Sequence, residues 1–149
     1  MCQYIESERV INMNDNELFT TWINLTKYHD RLLKAMDYSL HHHFQLGINE
    51  FYLLYFLAQT DEKKMRLSDL LPKVGLSHSA LSRLVSRMEK NREESLVQRK
   101  TDERDKRSVD VLLSEEGERL AEEMLSLLNI TLNKQLSEKD INRIKELFD

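Results

Sequence analysis

The sequence predicts a mainly α-helical chain that carries one small β-hairpin, and three observations lead there. Apolar residues recur at helical spacing towards both ends, as Leu18, Trp22, Leu25, Leu32, Met36 and Leu40 and again as Leu120, Met124, Leu127, Leu128 and Leu132. Only "LVQRKT" and "RSVDVLLS" read with period two, Val109, Val111 and Leu113 alternating with Ser108, Asp110 and Leu112. Three Gly and one Pro leave few places for turns, and 149 residues with 40% apolar and 32% charged suffice for a single domain with a buried core.

The first long helix is expected in "NELFTTWINLTKYHDRLLKAMDYSLHHH", where Phe19, Ile23 and Leu33 widen the apolar stripe. "GINEFYLLYFLAQT" follows, started by Gly47 or Asn49. It is apolar almost all round at Phe51, Leu53, Leu54, Tyr55, Phe56 and Leu57, which predicts a central, buried helix. In "RLSDLLPKVGLSHSALSRLVSRMEKN", Ser68 caps a short helix with Asp69 in its first turn, Gly75 ends it in the left-handed conformation, and Ser77 caps the next helix, 77–91. Pro72, near the fourth position of the short helix, predicts a late start or a distortion there.

Two helices joined by a short Gly-containing turn form the helix-turn-helix pattern. The second of them gathers Leu81, Leu84, Val85 and Met88 on one face and Ser79, Ser82, Arg83, Ser86, Arg87 and Lys90 on the other. Small hydroxyls permit close approach to base edges and phosphates, and Arg supplies a bidentate fork or a charge. Serines give up helix propensity that a merely solvated face would keep.

"TDERDKRS" then packs six charged residues into eight positions between the two strands, an unusual composition for a tight turn because it has neither Gly nor Pro. Two helices close the chain. One is "EEGERLAEEMLSLLNITLNKQ". The other is capped by Ser137 with Asp140 in its first turn and bears Ile141, Ile144, Leu147 and Phe148.

The net charge of −4 conceals a split. From Lys63 to Arg107 there are 13 Lys plus Arg against 7 Asp plus Glu, a balance of +6 inside a frame of −10. A basic middle in an acidic frame suits a module that meets a polyanion through one surface. No nucleophile motif, Gly-rich phosphate loop or spaced metal cluster is present, so neither enzyme nor cofactor is expected. His41, His42 and His43 are consecutive, point about 100° apart on a helix and do not converge on a metal. The lone Cys2, the lack of a long apolar run and a polar N-terminus predict a cytoplasmic protein with no membrane partner.

Helix, turn, helix, charged hairpin and "LLSEEGERLAEEM" together resemble the winged-helix regulators of the MarR (multiple antibiotic resistance regulator) family over nearly the whole chain. "DERDKR" at 102–107 is similar to that family's wing pattern of Asp, any, Arg, Asp, any, Arg. "LLSEEG" is similar to its Leu, Thr or Ser, any, any, Gly, and "LSHSALSRLVSRME" to its recognition helix. The link "EKNREESLVQR" departs from the family by being longer and lacking Gly, which predicts that the recognition helix runs on and leaves the wing's angle open.

The resemblance implies a winged helix-turn-helix module, 47–114, flanked by N- and C-terminal dimerisation helices, 14–46 and 115–149. It implies a homodimeric repressor that reads a pseudo-palindromic double-stranded operator. Ser77, His78, Ser79, Ser82, Arg83, Ser86 and Arg87 would face the major groove. Arg104 and Lys106 would reach the minor groove, whose negative potential attracts an inserted Arg. Asp102 and Asp105 are expected to brace the wing by pairing with Arg107 or with a recognition-helix Arg. Small aromatic effectors bind in the family between dimer helices and module, where this chain supplies Tyr38, His42, Phe44, Tyr52 and Tyr55. Two alternatives stay open: a metal- or thiol-responsive regulator of the same fold, using Cys2 or the histidines, and an interaction module that binds protein and not DNA.

Overall fold

The computed structural model describes residues 16–90, 94–105 and 107–149, in the order α1 (Glu17–Phe44), α2 (Ile48–Ala58), β1 (Lys64–Arg66), α3 (Leu67–Val74), α4 (His78–Lys90), β2 (Val97–Thr101), β3 (Val109–Leu113), α5 (Glu115–Gln135) and α6 (Glu138–Glu146). The expected mainly helical chain with a small hairpin is what folds. Its sheet has three antiparallel strands in the order β1-β3-β2, with Met65 opposite Val111 and Arg99 opposite Val111 from the other side. Three residues are too few to leave a periodicity, so β1 left no mark in the sequence pattern.

The core lies under α2. Phe51, Leu53, Leu54 and Leu57 are buried, and Leu40 of α1, Leu70 and Val74 of α3, Val111 of β3, and Leu120, Met124 and Leu128 of α5 join the same cluster. Each such side chain, fully buried, contributes about 1.5 to 3 kcal/mol. The start of α2 is held twice. Gly47 is the N-cap, its N–H donating to Glu50 Oε2 at 3.1 Å, and Asp37 of α1 accepts from the Ile48 N–H at 2.9 Å. Thr131 of α5 donates to Ser39 Oγ at 3.1 Å, tying the two long helices together.

Several boundaries move from their sequence expectations. The N-cap of α3 is Arg66 rather than Ser68, and no side chain caps it. Strand β1 runs straight into the helix, so there is no loop in which a Ser cap could sit. Pro72 therefore falls at the sixth residue of an early-starting helix. It is exposed, so the carbonyl that loses its N–H partner is open to water. Gly75 does end α3 left-handed, at φ 78°, its N–H donating to Leu71 O at 2.9 Å. Helix α4 runs from His78 to Lys90 with Ser77 Oγ accepting from the Ala80 N–H at 3.2 Å; the expected run-on falls at 91–93, outside the described residues. At the C-terminus Ser137 and Asp140 form the expected capping box, but α6 ends at Glu146 and leaves Leu147 and Phe148 beyond it, both exposed.

Gly117 explains the "LLSEEG" stretch. Ser114 caps α5 by accepting from the Gly117 N–H at 3.0 Å, and its hydroxyl reaches Ser95 O at 2.6 Å and Leu96 O at 2.9 Å. The helix start is thereby pulled against the approach to β2, and a Cβ at position 117 would lie 2.3 Å from Leu96 O. Only Gly fits that approach.

Candidate nucleic-acid interface

Leu81, Leu84, Val85 and Met88 turn one face of α4 into the core and so determine which residues look outward. His78, Ser79, Arg83 and Arg87 are exposed. No hydrogen bond or ion pair engages the side chains of His78 and Arg83 among the described residues. Arg87 instead leans back towards Glu50 of α2, with Nη2 3.8 Å from Oε1. Ser77 is occupied as the cap, with Ser79 Oγ 3.4 Å from its hydroxyl.

The charged tip between β2 and β3 makes its own turns. Asp102 Oδ1 accepts from the Arg104 N–H at 2.9 Å, Asp105 Oδ1 accepts from the Arg107 N–H at 3.0 Å, and the Ser108 hydroxyl lies 3.4 Å from Asp105 Oδ2. An Asp accepting from a backbone N–H two residues on does the work that Gly or Pro does in other turns. The bracing expected of these carboxylates is therefore corrected: among the described residues they engage backbone amides, and neither the Arg107 guanidinium nor a recognition-helix Arg. The side chain of Arg104 stands exposed at the tip, and Lys106 lies outside the described residues.

What holds the wing to α4 is Arg99 of β2, a residue the sequence reading passed over. Its Nη1 donates to Ser86 Oγ at 2.7 Å and to Glu89 Oε1 at 2.9 Å; its Nη2 donates to Ser82 Oγ at 2.9 Å and to Ser82 O; its backbone N–H reaches Glu89 Oε2 at 3.3 Å. Arg99 and Glu89 are both about three-quarters covered, at 27% exposure, so this charge-assisted network is stronger than a surface pair. Ser82 and Ser86, expected on the outward face, are half-buried at the seam between helix and wing, with their hydroxyls bound to Arg99. Strand alternation carried the signal: Arg99 shares the inward face with Val97, an odd place for a charge without a partner.

The residues expected around an effector fall into two settings. Tyr38 and His42 stack on α1 with ring centroids 6.1 Å apart, and both are exposed, Tyr38 at 72%. Tyr52 and Tyr55 are half-buried on α2 and pack on Phe51 and Phe56, while Phe44 is half-buried at the end of α1. Cys2 lies outside the described residues. Among the described ones, no three His, Cys, Asp or Glu gather to hold a metal ion, and no helix is long and apolar enough to cross a membrane.

Residues 35–124, more than half of the chain, match the family described as transcriptional regulator SarA/Rot. The chain belongs to that family. It is a transcriptional regulator of the SarA/Rot type, and its fold is that of the MarR family winged-helix regulators. The fold is shared with AbsC, a MarR family transcriptional regulator from Streptomyces coelicolor, at TM-score 0.71 and 23% identity, with 95% of this chain and 93% of that one covered. It is shared equally with Sco3205, a MarR family regulator from the same organism solved in complex with DNA, at TM-score 0.72, 21% identity and coverage of 96% and 88%. BpsR of Bordetella bronchiseptica, whose DNA binding is regulated by 6-hydroxynicotinic acid, matches at TM-score 0.72, 18% identity and coverage of 87% and 96%. No curated protein matches the chain in sequence.

Proposed function

We propose that this chain is a homodimeric repressor that binds a pseudo-palindromic operator in the cytoplasm, with α4 in the major groove and the wing in the minor groove. The observation that carries the reading is the Arg99 network, which makes recognition helix and wing one rigid body with Arg83 and Arg104 exposed on it. Residues 47–114 form the reading module. Residues 14–46 and 115–149 form the dimer, in which two recognition helices meet half-sites about one DNA turn apart. Support for the dimer comes from Leu18, Phe19, Trp22 and Leu25 of α1, Ile130 of α5, and Leu147 and Phe148 just past α6, exposed apolar residues that a single chain leaves uncovered. The deciding test is a titration of operator DNA at fixed salt. Arg83→Ala is expected to weaken binding by about 1 to 3 kcal/mol with fold intact, and equal affinity for mutant and parent would remove Arg83 from the interface.

A small aromatic acid is the effector class we propose for release, bound around the junction of the first two helices, to which α1 contributes Tyr38, His42 and Phe44 and α2 contributes Tyr52 and Tyr55. The likeness to BpsR supports it, as does a supply of aromatic faces with polar tips. By linkage, an effector that releases DNA binds more weakly when operator is present. Salicylate-like compounds should lower operator affinity in fluorescence anisotropy, and His42→Ala or Tyr52→Ala should blunt that response alone. No change at millimolar concentration rejects the effector class and leaves DNA binding standing.

A further inference from the structure

A cleft of about 270 Å³ opens where the start of α4, the β1–α3 junction and the root of the wing meet. Arg99 and Ser82 contribute to its wall, and the charge of Arg99 is matched by Glu89. Besides Ser108, whose hydroxyl lies 3.4 Å from Asp105 Oδ2, four other polar side chains line it: Arg66, Ser68, His78 and Arg107. All four are exposed, and among the described residues no hydrogen bond or ion pair engages any of these side chains. No carboxylate lines the cleft. Asp110 stands opposite Arg66 in the β1–β3 register and Asp69 follows Ser68, but among the described residues neither forms an ion pair with a lining side chain, and Asp105 is engaged by the Arg107 amide and the Ser108 hydroxyl. Arg66 and Arg107 thus line one cleft with no ion pair to hold them there among the described residues, an arrangement that an anion seated between them would stabilise.

The position of the cleft says which anion. In duplex DNA a single sugar-phosphate strand separates the major groove from the adjacent minor groove. A rigid body that lowers α4 into one groove and the wing into the next must straddle that strand, and the space between the two at their common base is this cleft. We infer that the cleft is the seat of the straddled backbone phosphodiester. Arg66 and Arg107 supply charge to its two non-bridging oxygens, and the Ser68 hydroxyl and a His78 ring N–H donate hydrogen bonds. The inference rests on the DNA-binding reading above and adds to it a phosphate site built partly on β1 and α3, outside both the recognition helix and the wing tip. Arg107 thereby acquires a contact with DNA in place of the bracing role expected from sequence. Contacts of this kind set register and carry no sequence information.

Full-length Arg66→Ala and the double variant Arg66→Ala, Arg107→Ala test it against operator and unrelated duplexes over a range of salt. Each Arg lost should weaken both duplexes alike, by about tenfold, the size of one charge-assisted hydrogen bond. It should also flatten the slope of log affinity against log salt by about one. Arg66→Lys, which keeps the charge, should keep the slope. A second arm replaces single operator phosphates with neutral methylphosphonates along the strand between the two grooves. At one position in each half-site the parent should lose affinity while the double variant loses no more. Unchanged affinity and slope in Arg66→Ala, a loss confined to operator sequence, or no methylphosphonate position with that behaviour each overturns the cleft assignment while the DNA-binding reading survives. A parent protein that binds neither duplex overturns both. Thermal melts of each variant separate a folding defect, which Arg66→Lys would not share.

Discussion

Helix α4 and the first half of α1 both carry an apolar stripe at helical spacing, yet the chain treats them differently. On α4 the stripe is entirely covered: Leu81, Leu84, Val85 and Met88 are all at 1% exposure or less, and its polar side is pinned through Ser82, Ser86 and Glu89 to Arg99. On α1, Leu18 is 85% exposed and Trp22 56%; cover begins at Tyr28, Leu32 and Leu33, which are half-buried, and is complete only at Leu40, in the core with α2 and α5. Periodicity states which face of a helix wants to leave water. It does not state whether the same chain will supply the cover, and the contrast divides this molecule into a helix whose stripe the chain covers and a frame whose stripe it leaves exposed.

Breaking the frame should have the largest effect. Deleting residues 137–149 removes α6, whose half-buried Ile141 lines an apolar groove with Ile130, Leu132 and Leu136. Sedimentation should then report monomer, and operator affinity should fall by about a hundredfold or more, because two half-sites lose their shared effective concentration. A truncated chain that remains dimeric with parental affinity would take these residues out of the dimer.

Where α5 meets the module, Gly117→Ala should be the most damaging single change to stability, since its Cβ meets backbone at Leu96 O and not a side chain that can swing away. A loss of about 2 to 3 kcal/mol in denaturant unfolding is expected; a cost under about 0.5 kcal/mol would mean that α5 slides back easily. Arg99→Ala should follow, at about 1 to 2 kcal/mol, because it leaves the Glu89 carboxylate half-buried without its cation. A double-mutant cycle with Glu89→Ala should show coupling between the two, and additive losses would reduce the network to two independent packing residues. Gly75→Ala is the mildest. Its Cβ would meet nothing within 4 Å, so only the left-handed backbone opposes it, at about 1 kcal/mol. A larger loss would point to a function for that turn beyond ending α3.

By itself the sequence determined what rests on interactions between near neighbours in the chain. The caps at Ser77 and Ser137, the left-handed stop at Gly75 and the strand alternation around Val111 each depend on residues a few positions apart, and each was legible. The same locality made "DERDKR" recognisable as a motif. What the Asp residues do there needed the structure, because an acid beside an Arg reads as an ion pair until the backbone amides are seen to compete for it. Tertiary structure alone decided the rest. Strand β1 exists because β3 offers it an edge far along the chain; Arg99 finds Ser82 and Ser86, 17 and 13 residues earlier, only once the hairpin folds back on α4; and Arg66 meets Arg107 in one cleft by the same closure. These contacts have no period and no fixed spacing, because the chain between their partners follows the packing of the core, and the energy that holds them is released only after that core has formed.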